Sequence, residues 1–345
     1  MAGLADERVA GGGLVGSELG ESGQVGGGQV PGDALEGAPD EHRTPVDRPT
    51  IEEAKAWCHR LATTHYENFH VATWFLPARL RPHFESVYAY CRVSDDLGDE
   101  VATPAIGMRL LTTWGQMLDQ CYDAPELSRH PVFVALRETI VACNLPKSLF
   151  ADLLRAFRQD QVKTHYATWD EVVEYSRYSA NPVGRLVLLV CGYGDEERAL
   201  LSDRICTGLQ LANFWQDVVE DADRGRRYLP AESMARFGVE DGQIAGRVFT
   251  PAFGAMMEAL VERTRVMLHE GGAISATVDR ELAVTLDLFR RGGEAILDGI
   301  AAQGYDTLRG RPVVTKRKKA MLLAGALVAK LRAGRSPRAE ALRPR

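Results

Sequence analysis

The sequence predicts an all-α protein, in which one helical domain carries a tail at each end. From Ile51 onward apolar residues recur at helical spacing in nearly every segment, and the strict alternation typical of strands is missing. Prolines separate these segments, as expected where helices begin and end. Helices are expected at about 51–64, 79–101, 105–122, 131–143, 147–159, 169–179, 184–192, 195–222, 251–271 and 276–302, with a last helix near 316–332.

The two ends of the chain differ in composition from the helical domain, which is expected to span residues 51–308. Residues 1–50 contain twelve glycines, no aromatic residue and no apolar periodicity, so they are expected to be disordered. Residues 309–345 carry twelve Lys and Arg against one Glu, in a chain of net charge −6. Such a basic tail either contacts an anionic partner, for example a membrane surface, or is a solvated, poorly ordered segment.

The tail contains the stretch "TKRKKAMLLAGALVAKLRAG", residues 315–334, in which basic residues precede a mostly apolar run. The run is too short to span a bilayer, but it suits a helix lying at the membrane interface. The alternative is a last amphipathic helix packed on the domain. Both interpretations are open from the sequence.

Several classes of protein are not expected. No run of 18 or more apolar residues is present, so no membrane-spanning helix is predicted. The first residues lack the basic region and apolar core of a secretory signal. The six cysteines form no CxxC pair and no metal-binding spacing with histidine, which indicates reduced thiols and a cytoplasmic protein. No nucleic-acid partner is expected.

A first cluster of carboxylates lies in "YAYCRVSDDLGDE", residues 88–100. Asp95 and Asp99 are four residues apart, so on a helix they project from one face, about one turn from each other. Arg92 lies one turn before Asp95. Asp96 and Glu100 lie one residue off this face; they are either supporting hydrogen-bond acceptors or solvent-exposed. The adjacent apolar segment argues against an ordinary solvent face.

A second cluster lies in "NFWQDVVEDADRGRRYLP", residues 213–230. Asp217 and Asp221 repeat the same spacing, and Asn213 extends the stripe by one more turn. Gln210 lies close to the same stripe, and three arginines follow it.

Together the two clusters predict a site for Mg²⁺ and diphosphate. Donor sets made of oxygen, without histidine or thiolate, are what Mg²⁺ prefers. Arginines beside them suit a diphosphate that must be bound and neutralised. One such aspartate pair alone is usually a solvated helix face, but two beside apolar segments favour a shared site.

These two stretches resemble the aspartate-rich motifs of the squalene/phytoene synthase family, and the resemblance covers residues from about 55 to 300. It implies a single terpenoid-synthase-type helical domain around a central cavity. Members of this family join or rearrange prenyl diphosphates head to head with Mg²⁺.

Two further stretches resemble the hydroxysqualene synthase branch of that family. "HYENFHVATWFLP", residues 65–77, stands where other members carry a serine-rich phosphate-binding segment. "YSRYSANPVGRLVL", residues 175–188, contains the "SANPVGR" form of this branch, and Tyr175 matches the catalytic tyrosine by its distance to Gly184. The departure from the serine-rich segment puts direct use of two farnesyl diphosphates in doubt.

The resemblance implies a set of site residues. The catalytic residues implied are Tyr88, Arg92 and Tyr175; the substrate-binding residues are His65, Asn68, Phe69, Arg92, Gly184, Gln210, Asn213, Arg226 and Tyr228; and the Mg²⁺ ligands are Asp95, Asp99, Asn213, Asp217 and Asp221.

Some of these residues have a second interpretation. Tyr88 is either a cavity residue or ordinary core, and His65 either binds diphosphate or caps a helix. The aromatic residues that could wall a prenyl tunnel are equally typical of core; they are Phe69, Trp74, Phe75, Phe214 and Trp215.

The reaction implied is conversion of presqualene diphosphate to hydroxysqualene, in which water quenches a carbocation. NAD(P)H is not expected, because this ending needs no reductant and no Gly-rich dinucleotide motif is present. A presqualene diphosphate synthase is the expected functional partner, and peripheral contact with the inner face of the membrane is possible through the tail. One alternative is condensation of two prenyl diphosphates to presqualene diphosphate, squalene or phytoene. The other is a non-catalytic assembly protein, against which the four motif aspartates argue.

Overall fold

In the computed structural model, which describes residues 35–45, 47–64 and 77–333, α-helices build the fold. In chain order the helices are α1 Ile51–Thr64, α2 Arg81–Asp99, α3 Pro104–Asp123, α4 Pro131–Cys143, α5 Lys147–Asp160, α6 Trp169–Ser179, α7 Asn181–Val190, α8 Glu196–Gln216, α9 Val218–Asp223, α10 Ala231–Phe237, α11 Asp241–Ala245, α12 Pro251–Gly271, α13 Arg280–Ala302 and α14 Lys316–Ala333. The all-α prediction is confirmed.

Local sequence explains where many of these helices begin. Proline occupies the first turn of five of them, where its missing N–H is not needed by the helix; these residues are Pro82, Pro104, Pro131, Pro182 and Pro251. Side chains of Thr103, Thr168 and Thr250 accept backbone N–H groups at three N-termini, which satisfies donors that the helix leaves free. The prolines that separate the predicted helices are therefore helix starts.

The helices bury two apolar clusters, and the motif-bearing ends of the two aspartate-rich helices lie in different clusters. The first cluster includes Tyr90 and Leu97 of α2, which packs against α1, α3, α4 and α5. The second includes Leu211 and Trp215 of α8, which packs against α6, α7, α12 and α13. Helix α7 contacts both α2 and α8. The motif-bearing ends of the two helices are thus fixed by different parts of the core, and α7 contacts both helices.

The predicted helix over 195–222 is divided in the structure. Helix α8 ends at Gln216, Asp217 has φ −102° and ψ 20°, and the short α9 follows. The backbone N–H of Asp217 still donates to the Asn213 carbonyl at 2.9 Å, and that of Asp221 donates to the Asp217 carbonyl at 2.8 Å. The break therefore leaves the one-turn spacing of Asn213, Asp217 and Asp221 intact.

Residues 35–45 differ from the prediction that all of residues 1–50 are disordered. Leu35, Ala38 and His42 are buried, and His42 lies in a 3₁₀ turn over Asp40–His42. This packing has little signal in the sequence, because a short turn buries single side chains rather than the periodic face of a helix.

Helix α14 packs against α13, and Lys318 pairs with Asp298 at 3.6 Å. Met321 remains 70% exposed, and Leu323, Leu327 and Val328 are also exposed. Within the described part of the chain, none of the helices combines the length and apolar character needed to cross a bilayer.

Candidate active site

The first motif lies at the C-terminal end of α2, whose rotation is fixed by its buried apolar side. Val93 and Leu97 are fully buried in the first cluster. Asp95 and Asp99 stay accessible on the same helix, with side chains 48% and 27% exposed. Tyr88 is buried on α2, so it lies on the motif helix as predicted.

Asp96 is buried in the structure, so the solvent-exposed interpretation of this residue is wrong. Its side chain is 2% exposed and lies 2.5 Å from an Arg92 nitrogen, while Arg92 Nε donates to Asp96 Oδ2 at 3.0 Å. Arg92 also lies 3.1 Å from Glu100 and 3.8 Å from Asp95. The guanidinium predicted to bind substrate is therefore held within the cluster of the first motif by Asp96.

The second motif places three polar side chains along the end of α8 and the start of α9. Asn213 is exposed, and Asp217 and Asp221 are partly buried, as is Gln210 one turn earlier. Burial, and next the negative charge of Asp217, raise the pKa of the Asp221 carboxyl to about 7. Two carboxylates that repel each other in a partly buried site favour a bound cation.

Ion pairs from two arginines to Asp99 join the two motifs. Arg226, in the loop after α9, donates from both terminal nitrogens to the Asp99 carboxylate, at 2.6 and 3.1 Å. Arg224 lies 3.8 Å from the same carboxylate. The loop is held in place because the backbone N–H of Arg227 donates to the Thr164 carbonyl at 2.7 Å. The C-terminal end of α2 and the loop after α9 are thereby brought together, as the two-motif interpretation requires.

Asp160 is a site residue that the sequence reasoning missed. The Tyr175 hydroxyl donates to Asp160 Oδ2 at 2.5 Å, and the Tyr228 hydroxyl donates to Oδ1 at 3.2 Å. Burial raises the pKa of Asp160 to about 6, against the lowering effect of Tyr175 and Arg226. Asp160 belongs to no spaced pair, so the sequence offered no local signal; it connects the predicted Tyr175 and Tyr228 to one proton acceptor.

Aromatic rings surround this carboxylate. Tyr228 stacks on Phe214 with ring centroids 3.8 Å apart, and Tyr175 lies 5.9 Å from Phe214 and 5.7 Å from Tyr166. Trp215 is different: it is fully buried, and its indole N–H donates to Thr264 at 2.8 Å. Phe214 therefore belongs with the site residues, whereas Trp215 belongs to the core.

Arg311 is a second residue that the sequence reasoning missed. It follows α13, and its guanidinium forms a forked pair with Asp217, with one of the bonds at 3.0 Å. The neighbouring Pro312 carbonyl accepts a hydrogen bond from Gln216. Because Arg311 lies within the basic tail, the charge pattern indicates only a membrane-contact or solvated segment and does not point to a partner in the second motif.

Gly184 has a packing role in the structure. A Cβ atom built there would collide with Ser202 and Cys206 of α8, so the absence of a side chain allows α7 and α8 to approach closely. Substrate binding at Gly184 stays a prediction. His65, Asn68 and Phe69, with Trp74 and Phe75, lie outside the described residues, so their predicted roles also stay predictions.

The donor chemistry fits Mg²⁺ bound together with a diphosphate. In the described ranges no group of three His, Cys, Asp or Glu side chains lies close enough together to coordinate a metal ion. Mg²⁺ is commonly held by one or two carboxylates together with phosphate oxygens and waters. Asp217 and Asp221 supply such a pair, and Asp95 and Asp99 supply a second.

The arrangement can carry out a defined set of chemical tasks. Its carboxylates can hold divalent cations, and its guanidinium groups can bind phosphate oxygens in a forked geometry. Its aromatic rings can face a carbocation, and Asp160 can accept a proton through the Tyr175 hydroxyl. These tasks together suit ionisation of a substrate that carries a diphosphate.

The model of the family described as squalene/phytoene synthase matches residues 62–318 of the chain. Among curated relatives, hydroxysqualene synthase of Rhodopseudomonas palustris is 32% identical over 236 residues, which is 67% of this chain and 78% of that protein. Chloroplastic phytoene synthase of Daucus carota is 28% identical over 283 residues, which is 79% of this chain and 70% of the relative.

Among solved structures, squalene synthase HpnC from Alicyclobacillus acidocaldarius is similar to the chain, with 42% identity and a TM-score of 0.70. The match covers 79% of this chain and 98% of that one. The helical architecture described above is thus shared with this structure over almost its whole length.

Proposed function

Because the chain belongs to the squalene/phytoene synthase family, we propose that it converts presqualene diphosphate to hydroxysqualene and releases diphosphate in a Mg²⁺-dependent reaction. The observation that carries the proposal is the Arg226–Asp99 pair. It brings a predicted metal ligand of one motif together with a predicted diphosphate-binding cation of the other.

The choice of reaction within the family is supported by two kinds of similarity. The stretch "SANPVGR" has the form typical of the hydroxysqualene synthase branch. Three curated relatives that are 31 to 34% identical to the chain are named hydroxysqualene synthase. These similarities favour presqualene diphosphate as the substrate.

Three groups of side chains have different roles in the proposed reaction. Mg²⁺ held by Asp95, Asp99, Asn213, Asp217 and Asp221 would stabilise the charge of the departing diphosphate. Arg92 and Arg226 bind its oxygens and hold it after the C–O bond breaks. The rings of Phe214, Tyr175 and Tyr228 face the rearranging cation and keep most water away.

A water molecule ends the reaction by adding its oxygen to the rearranged cation, and one proton must then leave. Tyr175 is placed to pass that proton on, because its hydroxyl already donates to Asp160 at 2.5 Å. With a pKa of about 6, Asp160 is ionised near neutrality and can accept the proton. The substrates are presqualene diphosphate and water, and the products are hydroxysqualene, diphosphate and a proton, so no reductant is consumed.

The test is an incubation of purified protein with MgCl₂ and either presqualene diphosphate or farnesyl diphosphate, followed by product analysis. We expect hydroxysqualene from the first substrate and no turnover of the second. Turnover of farnesyl diphosphate with none of presqualene diphosphate would overturn the proposed reaction. An EDTA-treated sample serves as the control for the metal requirement.

Condensation of two prenyl diphosphates is the second candidate. It is favoured by relatives named phytoene synthase, which match the chain at 28% identity over 79 to 81% of its length. The same incubation separates the two reactions, since a condensing enzyme joins two C15 chains of farnesyl diphosphate into a C30 product. A parallel incubation with the C20 geranylgeranyl diphosphate tests for a C40 product.

The wider setting of the reaction follows from its substrate. Another enzyme that forms presqualene diphosphate must supply this substrate. Its apolar prenyl chains partition into membranes. The exposed Met321 and Leu327 of α14, together with the basic residues that begin this helix, support docking of a cytoplasmic protein at the inner membrane face.

A further inference from the structure

His42 is a buried polar residue that precedes the family-matched region. The match begins at residue 62, whereas His42 lies in the 3₁₀ turn Asp40–His42. Its side chain is 0% exposed and contacts the first aspartate-rich motif. The segment that carries it is therefore a part of the site that the family match leaves out.

The contact is a hydrogen bond to Asp96. His42 Nε2 lies 2.7 Å from Asp96 Oδ2, and since a carboxylate only accepts, the imidazole must donate. Within the described residues, His42 Nδ1 has no hydrogen-bond partner. A proton on Nε2 thus satisfies the bond to Asp96.

The same Asp96 oxygen accepts from Arg92. Arg92 Nε donates to Oδ2 at 3.0 Å, and a terminal nitrogen lies 2.5 Å from Oδ1. Asp96 is 2% exposed, so it cannot exchange these partners for bulk water. A buried carboxylate that loses one of two donors is left poorly compensated and tends to move toward another donor.

His42 itself is held from the opposite side. His130 Nε2 donates to the His42 backbone carbonyl at 3.1 Å, and the Trp57 ring meets the imidazole edge-on at a centroid distance of 6.4 Å. His130 in turn packs edge-on against Trp114 at 4.8 Å. The imidazole is therefore fixed by core aromatic residues of α1, α3 and the start of α4.

We propose that His42 is a positioning residue, which orients Arg92 toward the diphosphate by holding Asp96. Residues 35–45 accordingly complete the first motif. This inference rests on the proposed function, because it assumes that Arg92 binds a diphosphate. The contacts that support it run from His42 to Asp96 and from Asp96 to Arg92.

The experiment measures binding of inorganic pyrophosphate in the presence of MgCl₂ by calorimetry, using full-length protein. His42→Phe keeps a ring of similar shape but removes the donor, and we expect pyrophosphate affinity to fall roughly tenfold. His42→Gln, which retains an N–H donor, should recover most of the affinity. In steady-state assays the Phe variant should raise KM more than it lowers kcat.

A matched control is His59→Phe. His59 of α1 is also paired with a carboxylate on α2, that of Glu85, at 2.9 Å. However, the His59 side chain is 58% exposed, and Glu85 lies about two helical turns before Arg92. The affinity of this variant for pyrophosphate should equal that of the unchanged protein.

A double-mutant cycle separates positioning from general stability. If His42 acts through Asp96, then His42→Phe should weaken binding in the unchanged protein but add nothing in the Asp96→Asn background. Additive losses, or native affinity of a folded His42→Phe variant, would overturn the inference. If that variant does not fold, His42→Asn, whose amide is too short to reach Asp96, decides in the same way.

The outcome is distinguishable from failure of the proposed function. If the unchanged protein does not bind magnesium pyrophosphate, the proposed function fails. If it binds, and the His42 variants bind equally well, only the inference about His42 fails.

Discussion

Asp217 lies at the point where α8 gives way to α9, between Asn213 and Asp221. We predict that Asp217→Asn lowers turnover by roughly 100-fold or more, since metal-assisted charge stabilisation is worth several kcal/mol. The helical fold should be retained, because the amide can still accept from Arg311. Product formation and far-UV circular dichroism measure the two effects.

The control for this variant is Asp223→Asn. Asp223 is an exposed carboxylate nearby that pairs with Arg247 at 2.8 Å, outside the proposed metal site. Equal activity of the Asp217 variant and the unchanged protein would contradict the metal role.

Asp160 gives a pH-dependent prediction. Its pKa rises from the ordinary 3.8 to about 6 in the fold, so the folded state favours the protonated form. Below about pH 4 Asp160 does not lower the free energy of unfolding, because it is protonated in both states. The loss of stability grows as the pH rises from about 4 to 6 and is complete above pH 6. Asp160→Asn, which imitates the protonated form, should therefore stabilise the protein by about 1–3 kcal/mol at pH 8.

Thermal unfolding of both proteins at pH 4.5 and pH 8 provides the measurement. The gain in Tm at pH 8 should shrink markedly at pH 4.5. A constant difference across this range would show that Asp160 does not titrate as described. Activity should fall in the variant at both values, since the proton acceptor is lost.

At the scale of helices, close approach at glycine fixes the position of the second motif. A Cβ at Gly271 of α12 would lie 3.0 Å from the backbone of both Ile205 and Leu201 in α8. Backbone cannot rotate away, so Gly271→Ala should destabilise the fold by about 1–3 kcal/mol and lower activity through displacement of α8.

Gly292→Ala is the matched substitution, because open space surrounds that position in α13. There the gain in helix propensity should stabilise the protein by about 0.5–1 kcal/mol. Urea unfolding of the two variants gives opposite signs if the packing argument holds. A stabilising Gly271 substitution would show that the helices can separate freely.

The segment between α13 and α14 supplies another prediction, since it places Arg311 on Asp217. A cation that binds Asp217 must first displace this guanidinium. Partly exposed ion pairs are worth up to about 1 kcal/mol, so Arg311→Gln should tighten Mg²⁺ binding about two- to fivefold. Isothermal titration with MgCl₂ measures the change.

Arg309→Gln is the control for that experiment, because Arg309 is 90% exposed and pairs with Asp306 instead. Its Mg²⁺ affinity should be unchanged. Weaker Mg²⁺ binding by the Arg311 variant would mean that the arginine supports the metal site.

For the whole molecule, the basic C-terminal region predicts binding to anionic vesicles. The protein should co-sediment with vesicles containing phosphatidylglycerol but not with pure phosphatidylcholine, and salt should weaken the binding. Met321→Asp removes an exposed apolar contact from α14 and should reduce binding. Val266→Asp, a change at an exposed valine of α12, should not, and equal losses in both variants would contradict docking through α14.

The sequence predicted the longer helices well, because apolar periodicity and proline placement are local signals, but it did not predict the short α10 and α11. It also predicted the one-turn spacing of Asp217 and Asp221, which is a local feature of the chain and survives the break between α8 and α9. The sequence did not predict the contacts of Asp160, Arg311 and His42. Their partners lie 15 to 94 residues away along the chain, and only the packing of α-helices determines which distant segments meet.

The pairing of motif aspartates with arginines has a thermodynamic consequence. Asp99 is bound to Arg226 and Asp217 to Arg311, so a cation that takes either carboxylate frees a guanidinium for an anion. An anion that takes the guanidinium likewise frees the carboxylate. Under the proposed function we therefore predict that magnesium and diphosphate bind with positive cooperativity, each raising the affinity for the other by the same factor.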